Sequence, residues 1–164
     1  LAGNTDFSIK VSDGSAWNTG LSIDGAGRVS LPNQPAARAF RTGTNFTPTA
    51  GQQSGFNSLG VNRGAFILGA AIPGGGNTIV VPATGLYLIA LNLAVVTSSG
   101  HAAAVLRNGS AALMTVNGLS GGAQTQSATA VHALTAGDTL SLQHTGTAQI
   151  ALGAGKTELS LLLL

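Results

Sequence analysis

A chain of 164 residues in which 44% of the side chains are hydrophobic and only 7% are charged has few charges to cover a monomer's surface. We therefore expect self-association, because a closed symmetric oligomer buries apolar patches. The net charge of +2 comes from seven scattered basic and five acidic residues, which excludes a basic nucleic-acid-binding face, and the absence of cysteine excludes disulfides and thiolate chemistry.

The start of the chain, from Leu1, lacks the basic and apolar regions of a signal peptide, so none is predicted and the chain is expected to be a piece of a longer protein. Residues 79–96 are mostly apolar over about the 18 residues at which a membrane span is considered. Residues such as Pro82, Gly85 and Asn92 interrupt them, and a break at residues 83–85 divides the stretch into two strands. We predict no membrane insertion.

Apolar and polar residues alternate through the first thirty residues, as in Phe7, Ile9 and Val11, which predicts β-strands. Asp-Gly pairs at 13–14 and 24–25 predict tight turns, so two short hairpins are expected. Segments this small bury little by themselves and should pack against partner chains or a neighbouring segment. The Pro-Asn-Gln-Pro sequence at 32–35 predicts a stiff connector and a boundary between a hairpin module at 1–35 and a main domain at 36–164.

The main domain shows short aliphatic runs separated by Gly, Asn, Ser and Pro, with no helical period, which predicts an antiparallel sandwich. Polar loops are expected at 46–63 and at 120–127. The four terminal leucines, 161–164, are typical of a central strand that is covered on both faces or that meets a partner subunit. The predicted strands are Arg38–Thr42, Ala65–Ile72, Thr78–Val81, Gly85–Val96, Ala102–Arg107, Ser110–Thr115, Ala128–Leu134, Thr139–His144 and Glu158–Leu164.

Four motifs follow one another in this domain: IVVPATGLY at 79–87, VLRNG at 105–109, LTAGDTLSL at 134–142 and a closing apolar strand at 159–164. From Phe40 to Leu164 this order resembles the globular head of complement subcomponent 1q and the related tumour-necrosis-factor-like (TNF-like) jelly rolls. The resemblance implies an all-β antiparallel jelly roll and a homotrimer around a threefold axis. Its structural turn residues here would be Pro82, Gly85, Tyr87, Asn108, Gly109, Gly137 and Asp138.

The N-terminal residues 6–17, 21–24 and 27–29 resemble a module in tail-fibre and spike proteins of bacteriophages and gene transfer agents. The resemblance implies a protein on the surface of a phage-like particle, either a tail fibre or a head spike, whose N-terminal segment binds other particle proteins. A cell-surface polysaccharide is the candidate receptor. The predicted receptor-binding loop residues are Phe46, Gln52, Gln53, Phe56 and Asn57, because glycan recognition uses aromatic and amide side chains; the alternative for Phe46 and Phe56 is burial in the core.

Catalytic and cofactor chemistry receives little support, and no catalytic, metal or cofactor residues are predicted. Residues 118–122 fit the G-x-S-x-G pattern of a hydrolase elbow, but no helix is predicted after them. Residues 153–157 lack the leading glycine of a phosphate-binding loop. His101, His132 and His144 have no local metal-site spacing, although convergence in three dimensions could assemble one. The carboxylates Asp13, Asp24 and Asp138 are expected in turns.

The sequence is therefore compatible with three functions. The first is a trimeric receptor-binding fibre or spike. The second is a purely structural trimerisation knob or adaptor, or a structural glycoprotein of the bacterial spore surface, although collagen-like repeats are absent here. The third, with least support, is a polysaccharide-modifying enzyme.

Overall fold

The computed structural model describes residues 7–12 and 14–164 and is all-β. The chain forms two compact units, Leu1–Gln34 and Pro35–Leu164, so that the division falls one residue before the predicted one. Among the described residues no helix is long and apolar enough to cross a membrane.

The first unit is a single antiparallel sheet of three strands, β1 (Phe7–Ser12), β2 (Trp17–Ile23) and β3 (Val29–Ser30), in the order β1-β2-β3. Gly14 has a φ of 93°, as a tight turn requires, while its predicted partner Asp13 lies outside the described residues. The second turn is longer than predicted. The Asp24 carboxylate accepts hydrogen bonds from the amides of Ala26 and Arg28, and the positive φ of 77° falls on Gly27 instead of Gly25.

The second unit is a sandwich of two antiparallel sheets. The first sheet has the order β11-β10-β14-β8-β7, with β5 also paired to β14, and the second has the order β12-β9-β16-β4-β6, with β13 and β15 also paired to β9. The strands are β4 (Ala36–Phe40), β5 (Gln53–Ser54), β6 (Ser58–Arg63), β7 (Ile67–Ala71), β8 (Asn77–Val80), β9 (Gly85–Ser99), β10 (Ala102–Arg107), β11 (Ala111–Asn117), β12 (Ser120–Gly121), β13 (Gln124–Leu134), β14 (Thr139–Thr145), β15 (Ala148–Ile150) and β16 (Glu158–Leu163).

The core lies between these two sheets because alternate residues of each strand point inward. In β9 the inward residues Tyr87, Ile89 and Leu91 are almost fully buried and meet inward residues of the facing sheet such as Val105 and Leu140. The strand β16 is central, between β9 and β4, which confirms the central position predicted for the terminal leucines.

The predicted turn residues shape two connections between strands. The Tyr87 hydroxyl donates to the carbonyl of Ala83, 2.9 Å away, and so closes the corner that contains Pro82 and leads into Gly85. Asn108 and Gly109 have φ values of 52° and 73°, as the predicted hairpin turn requires.

A second set of turn contacts joins the Asn108 hairpin to the loop before β14. The Asn108 side chain donates to the Asp138 carboxylate and accepts from the Thr139 amide, both at 2.8 Å. Asp138 also accepts from the Thr135 amide, and Gly137 turns the chain with a φ of 91°. These bonds hold two loops of one end of the sandwich together.

Two predicted loops contain strands instead. The strand β6 lies inside the predicted loop 46–63; it is an edge strand with mostly exposed residues, so its sequence lacks the alternation of a half-buried strand. The predicted loop 120–127 contains β12 and the polar start of β13, which forms because the 15-residue strand β9 extends far enough to pair with it. The short strands β5 and β15 were also not predicted.

Candidate functional site: an apolar sheet face and a hydroxyl-lined cavity

The outward face of the second sheet carries an aliphatic row. Directly opposed residues of antiparallel strands point to the same face. Val131 opposes Leu88, Leu88 opposes Leu162, and Leu162 opposes Ala36. Leu86, one residue pair further along, extends the row, with Ala133 opposite it. We call these six residues the aliphatic face.

The aliphatic face is open to solvent in a single chain. Leu86 is 54% exposed, Val131 50% and Leu162 36%, although side chains of this type are usually buried. A shallow cavity of about 240 Å³ lies on the same face, lined by Leu88, Ala90 and residues 160–162. An apolar surface of this kind on a folded domain is typical of a protein–protein contact.

Charge begins only beyond this face. The next rows of the sheet carry Arg38 and Glu158, whose closest side-chain atoms are 3.9 Å apart, and the Arg38 guanidinium lies 5.9 Å from the centre of the Phe40 ring. The Arg38 side chain lies over Gly60 of β6, so that a Cβ atom added to Gly60 would be 2.8 Å from the guanidinium. A partner on the aliphatic face would therefore meet an apolar surface that ends at charged residues on the side of Arg38 and Glu158.

A second surface feature is a cavity of about 260 Å³ that is lined mainly by hydroxyl groups. It lies where β15 pairs with the end of β9, with Ala148 opposite Ser98 and Gln149 opposite Thr97. Its lining residues are Thr47, Thr97, Ser98, Ser99, Thr147, Ala148 and Gln149. Hydroxyl and amide groups both donate and accept hydrogen bonds, so this cavity can bind a polyhydroxylated ligand.

These two features occupy opposite ends of β9. Leu88 and Ser98 are ten residues apart on one strand, which corresponds to about 33 Å at 3.3 Å per residue. The chain enters the second unit at Pro35, whose carbonyl accepts a hydrogen bond from the Leu163 amide, and Ala36 follows in the aliphatic face. The entry point of the chain is thus at the end remote from the hydroxyl-lined cavity.

The predicted receptor-binding residues are mostly used inside the fold. Phe56 is 1% exposed and lies in the core, so its aromatic ring cannot contact a receptor. This burial, the alternative given in the sequence analysis, corrects the prediction that Phe56 is a receptor-binding residue. The side-chain oxygen of Gln52 accepts a hydrogen bond from the Thr49 amide, and the side-chain oxygen of Asn57 accepts one from the Thr42 amide.

The remaining two predicted loop residues lie apart from each other. The Gln53 side chain donates a hydrogen bond of 2.9 Å to the Gly109 carbonyl, at the Asn108 turn. Phe46 is half-buried and pairs with Ile150, next to Thr47 of the hydroxyl-lined cavity. Of the five, Phe46 is therefore the one that borders this cavity along the chain.

Two of the three histidines meet in the core. His101 Nε2 and His144 Nδ1 are 3.1 Å apart, and the Ser54 hydroxyl is 2.7 Å from His144 Nε2. The Phe46 ring packs edge-on against His144 at 5.8 Å, and the Arg41 guanidinium lies over Phe46 at 4.6 Å. Burial lowers the pKa of both histidines; the pKa of His144 falls to about 3, with the charges of His101 and Arg41 as lesser causes.

Ser54, His144 and His101 are linked in the order of a nucleophile, a base and an orienting group. Their surroundings, however, do not support catalysis. Ser54 is only 4% exposed and His144 1%, which closes the hydroxyl to substrate. The Gly118–Gly122 segment leads through β12 into β13 and so lacks the helix of a hydrolase elbow. Within residues 7–12 and 14–164, no group of three or more His, Cys, Asp or Glu side chains could hold a metal ion.

Comparison with protein-family models gives no match, and comparison with curated protein sequences gives none either. Solved structures do match. The structure of Eiger TNF from S. frugiperda has 16% identity and a TM-score of 0.63, over 80% of this chain and 93% of that one. Murine APRIL, at pH 5.0 and at pH 8.0, has 16% identity and TM-scores of 0.60 and 0.62, over 80% of this chain and 99% of each.

The chain has the TNF-like jelly-roll fold. This confirms the predicted all-β antiparallel fold class, and identities this low show the fold alone. The trimer, the particle and the receptor stay predictions.

Sequence reasoning anticipated the aliphatic face only at the terminal leucines, and it missed the hydroxyl-lined cavity and the histidine pair. A signal for the first was present, because β9 is apolar at both odd and even positions from 86 to 91, as a strand covered on both sides would be. The other two join residues that are distant in sequence, such as Ser54 and His144, and no local pattern marks them.

Proposed function

We propose that this chain is a trimeric fibre or spike protein of a bacteriophage-like particle, a phage or a gene transfer agent, that attaches the particle to a polysaccharide on the host cell surface. The N-terminal resemblance motivates the particle. The TNF-like jelly roll and the scarcity of charge are consistent with a trimer.

One observation carries the proposal: the chain enters the jelly roll at one end of β9, and the hydroxyl-lined cavity lies at the other. A receptor-binding tip needs this polarity, because the shaft must lie on one side and the receptor on the other. The cavity lining is rich in threonine and serine with one glutamine, a chemistry that suits the hydroxyl groups of a glycan.

In the proposed trimer each subunit covers the aliphatic face of another. A buried aspartate at its centre would be costly, because a charge without a partner is expensive to desolvate. We expect Leu88→Asp to convert the trimer to monomers in multi-angle light scattering. The control, Leu119→Asp, adds the same charge at a site that is 81% exposed and away from this face, and should remain trimeric. A wild-type monomer would refute this part of the proposal.

Receptor attachment is tested by binding of the labelled protein to capsulated bacteria and to isogenic cells without capsule. We expect binding to capsulated cells only. Gln149→Ala should lower the affinity for these cells about tenfold, which corresponds to the loss of about 1.4 kcal/mol typical of one ligand hydrogen bond. Gln143→Ala, on β14 and outside the cavity, is the matched control. Equal binding to both cell types would contradict a capsular receptor.

A second candidate function, a structural knob or adaptor of the fibre, is favoured by the burial of Phe56 and by the internal hydrogen bonds of Gln52, Gln53 and Asn57. Because these side chains are buried or hydrogen-bonded within the fold, they are less available to bind a receptor. A knob would be trimeric, would bind neither cell type, and would bind another particle protein in a pull-down. That combination separates it from the receptor-binding tip.

A further inference from the structure

The N-terminal sheet has one apolar face that the described residues of its own unit leave largely exposed. Phe7 opposes Ile23, Ile23 opposes Val29, and Ile9 opposes Leu21, so these five side chains share a face. Phe7 is 56% exposed, Ile9 50% and Val29 61%. A sheet must bury its apolar face against a second layer, and the residues of this unit that the structure describes form one sheet and supply no second layer.

The opposite face of the same sheet is mostly polar, although it also carries Lys10 and, opposite Ser12, the exposed Trp17. Ser8 opposes Ser22, and Ser22 opposes Ser30, with the hydroxyl groups of Ser22 and Ser30 2.8 Å apart. The charges of Arg28 and Asp24 pair with each other in the turn, at 2.6 Å, and do not enter the apolar rows. Among the described residues the apolar face therefore carries no charged side chain, and so it offers no electrostatic feature that would select a different partner.

The covalent connection favours a copy of the same chain. Gln34 is followed by Pro35 and then by Ala36, a member of the aliphatic face at which the jelly rolls are proposed to meet. When jelly rolls associate there, each tethers an N-terminal sheet near the others at a millimolar effective concentration. Contact between the identical apolar faces then becomes an intramolecular step and needs little affinity of its own.

We propose that the N-terminal sheets of three copies pack their apolar faces together around a common axis and form a three-sided β-prism that continues the trimer. This inference rests on the trimer of the proposed function. Each copy contributes one apolar face inward and its serine face outward. Phe7, Ile9 and Val29 then form the core that a single unit lacks.

The absence of cysteine from the 164 residues allows a direct test in this chain. Ile9→Cys places a thiol on the apolar face, and Ser8→Cys places one on the polar face, as the matched control. In the purified trimer we expect Cys at position 9 to react about tenfold or more slowly with a bulky maleimide, because reaction needs transient opening. A short bis-maleimide should crosslink copies through position 9 and not through position 8.

Light scattering of the same samples separates this inference from the proposed function. A trimer whose position 9 reacts as fast as position 8 and forms no crosslinks would overturn the β-prism and leave the jelly-roll trimer standing. The β-prism would also be overturned if position 9 became protected only after addition of particle proteins. Protection of position 9 without any crosslink between copies would overturn it as well. A monomer with a freely reactive position 9 would overturn both.

Discussion

Acid should destabilise this protein through its buried histidine pair. His144 is 1% exposed, and burial lowers its pKa from 6.5 to about 3. Well above pH 6.5 the residue is neutral in both the folded and the unfolded chain and contributes no pH dependence. As the pH falls below 6.5, the unfolded chain binds a proton that the folded chain cannot bind, so the free energy of unfolding decreases down to the folded pKa.

The magnitude follows from the two pKa values. At pH 5 the unfolded histidine is about 97% protonated and the folded one is neutral, which lowers the free energy of unfolding by about 2 kcal/mol relative to pH 7.5. His101, whose pKa burial also lowers, adds to the loss in the same direction. Because the two side chains are hydrogen-bonded, the pair titrates as a unit.

The measurement is guanidinium unfolding at pH 7.5 and pH 5, at one fixed protein concentration because oligomer stability depends on it. His144→Gln retains a polar group for Ser54 and should be less stable at pH 7.5, but its loss on acidification should be smaller by about 2 kcal/mol. Leu119→Gln, at a site that is 81% exposed, changes no titratable group; it is the control and should keep the wild-type difference. A wild-type stability that is unchanged between the two pH values would refute the reasoning.

Three further predictions concern turns and close approaches, and each is measured by the same unfolding assay at pH 7.5. Tyr87→Phe removes the hydrogen bond to the Ala83 carbonyl and should cost about 1 kcal/mol; a stability equal to wild type would mean that this bond contributes nothing. Asn108→Ala places an unfavourable residue at a φ of 52° and removes the side-chain bonds, so a loss of about 2 kcal/mol is expected, whereas Asn108→Gly should lose less because glycine tolerates that φ. Gly76→Ala combines a φ of 78° with a Cβ that would meet the Gly55 backbone carbon at 2.5 Å, and should cost about 3 kcal/mol or prevent folding; a soluble variant of wild-type stability would contradict the close approach.

Much of the fold was predictable because it depends on local patterns. The strand β10 occupies the predicted residues 102–107, and β9 begins at the predicted Gly85. The Asn108-Gly109 hairpin has the positive φ values that its sequence requires. Such features depend on alternation of apolar residues and on turn chemistry, which neighbouring residues determine.

The predicted site was less successful because exposure is not a local property. Phe46 and Phe56 stand in similar polar, glycine-rich sequence, yet Phe46 is half-buried against His144 and Phe56 is 1% exposed in the core. The edge strand β6 escaped prediction for the same reason, since its pairing with β4 and not its own pattern makes it a strand.

The sequence by itself determined the class of the fold, the positions of the main turns and the expectation of self-association, since these follow from short-range periodicity and from a charge content of 7%. Tertiary structure alone decided which leucines of β9 and β16 face solvent, which hydroxyl groups line one cavity, and that His101 and His144 share a hydrogen bond. Each of these depends on register and packing between strands that are distant in sequence, and a shift of one residue in any register would exchange the two faces.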